Sequence, residues 1–231
     1  MSRHRRRRTI SPETAELRIV GGRFRGRKLQ YQGDPTTRPM KHRTREAIFN
    51  LISTDSIGRR AIDLFAGTGA LGLEALSRGA LWATFIEKHV PTARIIEANI
   101  AALDVAGRSE LLTTSAFLWT KRDLAREAAE ASHAPPIADR QTVARRKPAS
   151  WLIFCSPPYS YFVERRDDML GLIHDVMAGC PDDSVLIVES DERFDQDLLP
   201  VDRSDGIGRS AWDIRTYAPA VVGVWRKPRR E

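Results

Sequence analysis

The sequence predicts an α/β chain: a mostly parallel sheet with helices on both faces, closed by an antiparallel C-terminal hairpin and preceded by a basic N-terminal β-hairpin extension. Three observations lead there. Short apolar runs alternate with helix-like stretches from about residue 60 onward, a glycine-rich turn joins the first run to the first helix, and two late runs are linked by Ala218-Pro219-Ala220. Strands that alternate with helices pair in parallel, because the helix carries the chain back to the edge from which the next strand must start.

Taken in order, residues 1–15 read as a disordered basic tail. In residues 16–32, Leu17, Ile19, Phe24, Leu29 and Tyr31 alternate with Arg18, Arg23, Arg25, Arg27 and Lys28 around Gly21-Gly22 and Gly26, which predicts two short glycine-hinged strands with a basic outer face. Residues 36–40 form a proline-punctuated turn, and Ala47, Ile48, Leu51 and Ile52 then make the apolar stripe of a helix. Strands are expected at 61–65, 82–86, 110–114, 151–154 and 185–188, the last followed by Glu189, and helices at 70–78, 91–103 and 167–177. Residues 214–217 and 221–225 form the closing hairpin. Between 121 and 150 an Ala/Glu/Arg-rich helical segment runs into a polar, proline-containing stretch, an insertion with a mobile second half. The expected organisation is thus a tail (1–15), a basic extension (16–58) and one domain (59–231) carrying the insertion.

Charge is unevenly placed. The first 60 residues hold 16 Lys and Arg against 5 Asp and Glu, and the remainder 21 against 25, for a net +7 overall. A cationic front on a near-neutral body suits a polyanion, since each neutralised phosphate releases counterions. No apolar run approaches the roughly 18 residues of a membrane span, and the start, MSRHRRRRTI, has no apolar segment behind its charges, unlike a secretory signal. Cys155 and Cys180 sit in apolar or helical contexts at no metal-ligand spacing, which fits reduced thiols in a cytoplasmic protein. His89 and His174 lack partners at ligand spacing, so no metal is expected.

Gly67, Gly69 and Gly72 stand in a GxGxxG pattern between a strand and a helix, a turn that lets backbone approach a ligand at the mouth of the sheet. Asp63 lies just before it and Glu87 ends the next strand, where a carboxylate can accept both hydroxyls of a ribose. The ligand therefore carries a nucleoside. A nicotinamide cofactor would bring its pyrophosphate close to Asp63, whereas S-adenosylmethionine brings a sulfonium and an ammonium group. The acid favours the methyl donor.

The stretch FCSPPYSYF leaves a buried strand, stiffens at two prolines and then presents an aromatic ring. Together with RIVGGRFRGRKL, TRPMKHRTREAIFNLI, DLFAGTGALGLEALSRGA and FIEKH, in that order, SPPY resembles the RsmD-type family of small-subunit ribosomal RNA guanine-N(2) methyltransferases. The resemblance covers roughly residues 16–118 and 151–190, and more faintly the C-terminal hairpin. It implies a Rossmann-like, class I S-adenosylmethionine-dependent fold and an enzyme acting on small-subunit ribosomal RNA or the assembling subunit; a monomer is the default expectation, since a basic enzyme that reaches into a large RNA gains nothing obvious from pairing.

By the same resemblance Ser156 and the Pro157 carbonyl accept the two hydrogens of a guanine amine, Pro158 helps to lock the loop, and Tyr159 stacks on the flipped base. Cofactor contacts are implied at Asp63, Phe65, Ala66, Gly67, Thr68 and Gly69, at Glu87 and Lys88, and at Ser115 and Ala116. Arg38 is assigned to the cofactor's methionine carboxylate or to the target strand. Arg23, Arg25, Arg27, Lys28, Lys41, Arg43 and Arg45 are expected to flank the pocket and grip RNA backbone. The chain departs from the family twice: the motif usually begins with Asp or Asn, not Ser156, and the loop after the third strand usually has Asp where Ser115 stands. SPPY also resembles the motif of DNA methyltransferases that act on the cytosine amine. A non-catalytic RNA-binding or ribosome-assembly factor is the alternative reading, and a nicotinamide-dependent oxidoreductase a weaker third.

Overall fold

A computed structural model describes residues 17–31, 42–132, 150–201 and 212–229. The expected tail, the turn at 36–40 and the second half of the insertion lie outside the described residues.

The apolar runs that end in an acid or a Ser-Pro step form the middle of the sheet. Strands β1 (Arg60–Asp63), β4 (Trp151–Cys155) and β5 (Val185–Asp191) are buried along their whole length, as parallel strands covered on both faces must be. With β2 (Trp82–Ile86), β3 (Ser109–Leu112), β6 (Asp213–Tyr217) and β7 (Ala220–Arg226) they make one seven-stranded sheet in the order β3-β2-β1-β4-β5-β7-β6. All pairings are parallel except those of β7, which runs antiparallel to β5 and β6. Strand order reverses between β1 and β4, so the carboxyl ends of these two strands open a crevice there.

Helices cover both faces. On one side α1 (His42–Leu51), α2 (Ala70–Ser77) and α3 (Val90–Ala102) pack over Ala61, Phe85, Leu152 and Ile187; on the other α4 (Ala116–Arg122), α5 (Leu124–Ser132), α6 (Tyr161–Glu164) and α7 (Arg166–Gly179) pack over Ile62, Ile153 and Leu186. The alternation along each strand sends neighbouring side chains to opposite cores. The helical first half of the insertion belongs to the second core: Glu127 of α5 is buried and takes a 2.7 Å ion pair from Arg60 of β1.

The amino-terminal segment departs from the expected hairpin. Arg18 and Lys28 form a single antiparallel bridge, and a 3-10 turn at Gly22–Phe24 replaces the strand ends. Gly22 sits at φ 73°, and a Cβ there would lie 2.1 Å from the Ser77 carbonyl oxygen, so the chain turns where only glycine fits. Leu17, Ile19, Phe24 and Leu29 all point inward and join the core over α2 and α3. The Ile19 N–H to Arg27 carbonyl bond at 3.0 Å and the Leu29 N–H to Leu17 carbonyl bond at 2.8 Å pair the two arms, and burial against the helices fixes them to the body.

Candidate active site

The carboxyl ends of β1 and β4 are brought together by register. Asp63 pairs with Phe154, and the Leu64 N–H donates to the Phe154 carbonyl at 3.0 Å, which places the glycine turn after β1 beside the Ser156-Pro157-Pro158-Tyr159 loop after β4.

The turn is shaped by its glycines. Gly67 (φ 53°) and Gly69 (φ 78°) hold left-handed conformations, and open space lies where a Gly67 Cβ would point. Gly72 serves packing: a Cβ there would meet the Phe85 ring at 2.4 Å. Ala66 and Thr68 are buried, with the Ala66 N–H donating to the Ile86 carbonyl at 3.0 Å and the Thr68 carbonyl accepting from Asn99 Nδ2 at 3.0 Å.

Three acids lie at the carboxyl ends of the central strands, two of them bonded to this turn. Asp63 is 1 % exposed; its Oδ2 accepts from the Gly72 N–H at 3.2 Å, while Oδ1 is buried and, among the described residues, has no partner within hydrogen-bond geometry. Burial, helped by the nearby Glu87 charge and opposed by the Gly72 N–H, pushes the Asp63 carboxyl up to about 7. A cationic group arriving at Oδ1 would satisfy both the orphaned oxygen and the charge. Glu87 is half-buried and held by the Gly67 N–H at 3.0 Å and the His89 N–H at 2.8 Å, which aims its remaining lone pairs over the turn. The third acid, Glu189 on β5, is 3 % exposed. Its Oε2 accepts from the Ser156 hydroxyl and its Oε1 from the Tyr159 hydroxyl at 2.6 Å. Burial raises the Glu189 carboxyl above the usual range, partly offset by these two bonds. Tyr159 is pushed far above the ordinary phenol value by burial and then by the Glu189 charge, so it stays a donor.

Pro157 is buried and Pro158 exposed. The Pro158 and Tyr159 carbonyls accept from the Tyr161 and Phe162 N–H groups, whereas among the described residues no backbone N–H donates to the Pro157 carbonyl. That carbonyl is left to accept a ligand hydrogen.

A ring cluster flanks the turn. Phe65 meets Phe117 and Tyr161 edge-on at 6.0 and 6.2 Å; Lys88 donates to the Tyr161 hydroxyl at 2.9 Å, and Arg165 lies 4.2 Å over Phe117. Ser115 caps α4, its hydroxyl accepting from the Leu118 N–H at 3.1 Å, with Ala116 buried behind it. Phe117, Tyr161, Asn99 and Glu189 were not singled out as site residues from sequence. The signal for Glu189 was there, an acid ending an apolar parallel strand just as Glu87 does.

The basic residues are distributed otherwise than expected. Arg45 is a correction: its side chain is 0 % exposed, with Nε 3.5 Å from Glu74 and a further bond to the Arg18 carbonyl, so it faces the core and not RNA. The tip carrying Arg23, Arg25 and Arg27 packs against the carboxyl ends of the helices. The Phe24 N–H donates to Ser77 Oγ at 2.9 Å, Arg27 reaches the carbonyl of Ala102, and Arg23 lies over Phe24. In a parallel sheet those helix ends lie at the edge opposite the crevice, so this tip does not flank the pocket. Arg23, Arg25, Arg27, Lys28 and Arg43 are exposed, and Arg38 and Lys41 lie outside the described residues.

The set of donors and acceptors fits S-adenosylmethionine: Asp63 Oδ1 for the ammonium, Glu87 for the ribose hydroxyls, and the open Gly67 face for close approach. Two acids bonded to the turn do not suit a pyrophosphate. Among the described residues no group of three His, Cys, Asp or Glu side chains is placed to hold a metal ion, and no helix is long and apolar enough to cross a membrane.

Comparison with known proteins gives a family and a fold. The sequence pattern of the family described as conserved hypothetical protein 95 matches residues 17–196. The ribosomal RNA small subunit methyltransferase D of Escherichia coli strain K12 is 41 % identical over 104 residues, 45 % of this chain and 52 % of that one. The chain thus spans about half the length of that relative. The putative rRNA methyltransferase YlbH of Bacillus subtilis strain 168 is 28 % identical over 91 % of this chain and 99 % of its own. Among solved structures, the putative methyltransferase yhhF from Escherichia coli superposes with a TM-score of 0.63 at 24 % identity, covering 92 % of this chain and 98 % of that one, a likeness of fold.

Proposed function

The chain belongs to the conserved hypothetical protein 95 family, RsmD-type methyltransferases with the class I S-adenosylmethionine-dependent fold, and from that premise we propose that it methylates the exocyclic amine of a guanine in small-subunit ribosomal RNA. The observation that supports this reading is the register of β1 against β4, which brings the loop carrying Ser156 and Pro157 next to the glycine turn. Named relatives that act on ribosomal RNA supply the substrate class.

Each residue then has a task. Asp63 binds the cofactor's ammonium and Glu87 its ribose, which orients the cofactor toward the β4 loop. When bound, S-adenosylmethionine supplies an electrophilic methyl group on sulfur. An exocyclic amine is a weak nucleophile because its lone pair is delocalised into the ring. Ser156 and Pro157 accept its two hydrogens, favouring a pyramidal nitrogen whose pair is free for in-line attack. Transfer of the methyl group to that nitrogen would leave the S–C pair on the donor's sulfur, and the amine would lose one proton to water. Tyr159, fixed through its hydroxyl to Glu189, offers its ring as a stacking face for the flipped base. The exposed Arg25 and Arg27, at the far edge, hold RNA backbone away from the pocket and contribute register, not base choice. The protein works as a cytoplasmic monomer on this account.

Ser156 in place of a carboxylate favours one second reading, a ribosome-assembly factor that binds RNA and cofactor without transfer. Incubation with methyl-labelled S-adenosylmethionine and small subunits lacking the modification, followed by nucleoside analysis, separates the two. Label in N2-methylguanosine is expected. Tight binding without transfer would support the assembly factor, and label in an adenine or cytosine amine would overturn the base assignment.

A further inference from the structure

A serine at the head of the motif carries no charge, yet the structure places one directly behind it. Cys155 of β4 pairs with Val188 of β5, so Ser156 and Glu189 leave the two parallel strands side by side at the carboxyl edge. Glu189 is 3 % exposed and, among the described residues, has no cationic partner; both of its oxygens are taken by hydroxyls of the SPPY loop, Ser156 on Oε2 and Tyr159 on Oε1. A carboxylate that accepts from two neutral donors in a dry site is not a structural ion pair. A serine hydroxyl has one proton and two lone pairs. With its proton committed to Glu189, Ser156 can present only lone pairs to the pocket, and the bond to an anion makes its oxygen a stronger acceptor.

We infer that Glu189 is a positioning residue that supplies, through Ser156, the negative charge an aspartate at that place would carry itself, and that it fixes Tyr159 with its other oxygen. This rests on the proposed methyl transfer. Replacement by glutamine keeps the shape but removes the charge, and it offers one carbonyl where two hydroxyls need acceptors, so one hydroxyl must face an N–H.

The test compares wild type, Glu189→Gln, Ser156→Asp and the double variant, with kcat and KM for methyl transfer and with cofactor affinity by calorimetry. Glu189→Gln is expected to lower kcat by roughly ten- to a hundredfold, the worth of one hydrogen bond to a charged group, with cofactor affinity unchanged. Ser156→Asp alone sets two carboxylates in contact and gives no gain. The double variant, with the charge moved onto the motif, recovers most of the lost kcat. A Glu189→Gln enzyme with wild-type kcat, or a double variant as impaired as the product of the two single effects, would overturn the inference while leaving the methyltransferase reading in place; no transfer by wild type would sink both.

A readout without cofactor or RNA guards the pairing itself. The shift in urea midpoint caused by Ser156→Ala should be larger in wild type, where it strips a partner from a buried carboxylate, than in the Glu189→Gln background. Equal shifts would mean that the two side chains do not act as a pair.

Discussion

Three glutamates are buried among the described residues: Glu127 is paired with Arg60, and the other two, Glu74 and Glu189, have surroundings that differ in kind. Glu74, in the middle of α2, is met by the Val20 and Gly21 N–H groups at 2.8 and 2.7 Å, by Arg78 Nε at 2.9 Å and by Arg45 Nε at 3.5 Å. Its charge is matched by cations and backbone donors, and its task is to fasten the amino-terminal segment and α1 to the body. Glu189 has two hydroxyls from one loop at the mouth of the crevice and no matching cation among the described residues. Burial alone therefore does not single out an acid for function; the kind of partner that satisfies the charge separates these two.

The largest expected effect falls on the structural acid. Glu74→Ala leaves Arg45 buried without its counter-charge and should cost about 3–5 kcal/mol in urea unfolding, with kcat of the folded fraction unchanged. Equal loss of kcat from Glu74→Ala and Glu189→Gln would erase the distinction.

Asp63 comes next. Asp63→Asn should weaken S-adenosylmethionine binding by roughly ten- to a hundredfold, since a hydrogen-bonded charge is lost. Its pH signature has a definite sign. Asp63 titrates at about 7 folded against 3.8 for the ordinary carboxyl, so the folded form holds the proton longer; its contribution to stability is complete below about pH 4 and is lost as pH rises through 7. The cofactor-free Asn variant should gain in melting temperature over wild type between pH 5 and pH 8. Calorimetry should also show wild-type cofactor affinity rising over this range, with a flat profile in the variant.

Tyr159 separates ring from hydroxyl. Tyr159→Ala should lower kcat/KM for RNA by the worth of one stacked base, about 1–3 kcal/mol, and Tyr159→Phe by less, because only the anchor to Glu189 is gone. The smallest effect belongs to the far edge: Arg25→Glu with Arg27→Glu should flatten the salt dependence of RNA binding by about one unit per lost phosphate contact and leave cofactor affinity intact.

Much of this was legible because the sheet and the turn are local patterns. β1, β4 and β5 are apolar runs punctuated by Gly, Ser-Pro or an acid, and the glycine spacing located the crevice before any pairing was known. The alternation of Leu17, Ile19 and Leu29 with basic residues made the paired arms of the amino-terminal segment legible, whereas its 3-10 turn and its docking depend on contacts made far along the chain, such as the Phe24 N–H with Ser77. Arg45 reads from its charge as a surface residue, although it stands three residues before Ile48 and seven before Ile52, on the apolar face of α1. Glu74 in an otherwise apolar helix carried a comparable signal. The hydroxyl bonds to Glu189 depend on which strands are neighbours, which no single segment encodes.

The most direct test of the central claim is a structure of the protein with S-adenosylhomocysteine bound. The account predicts the homocysteine amine against Asp63, the ribose on Glu87 and the sulfur facing Ser156 and Tyr159. A ligand seated away from the glycine turn, or with its sulfur turned from the β4 loop, would contradict it.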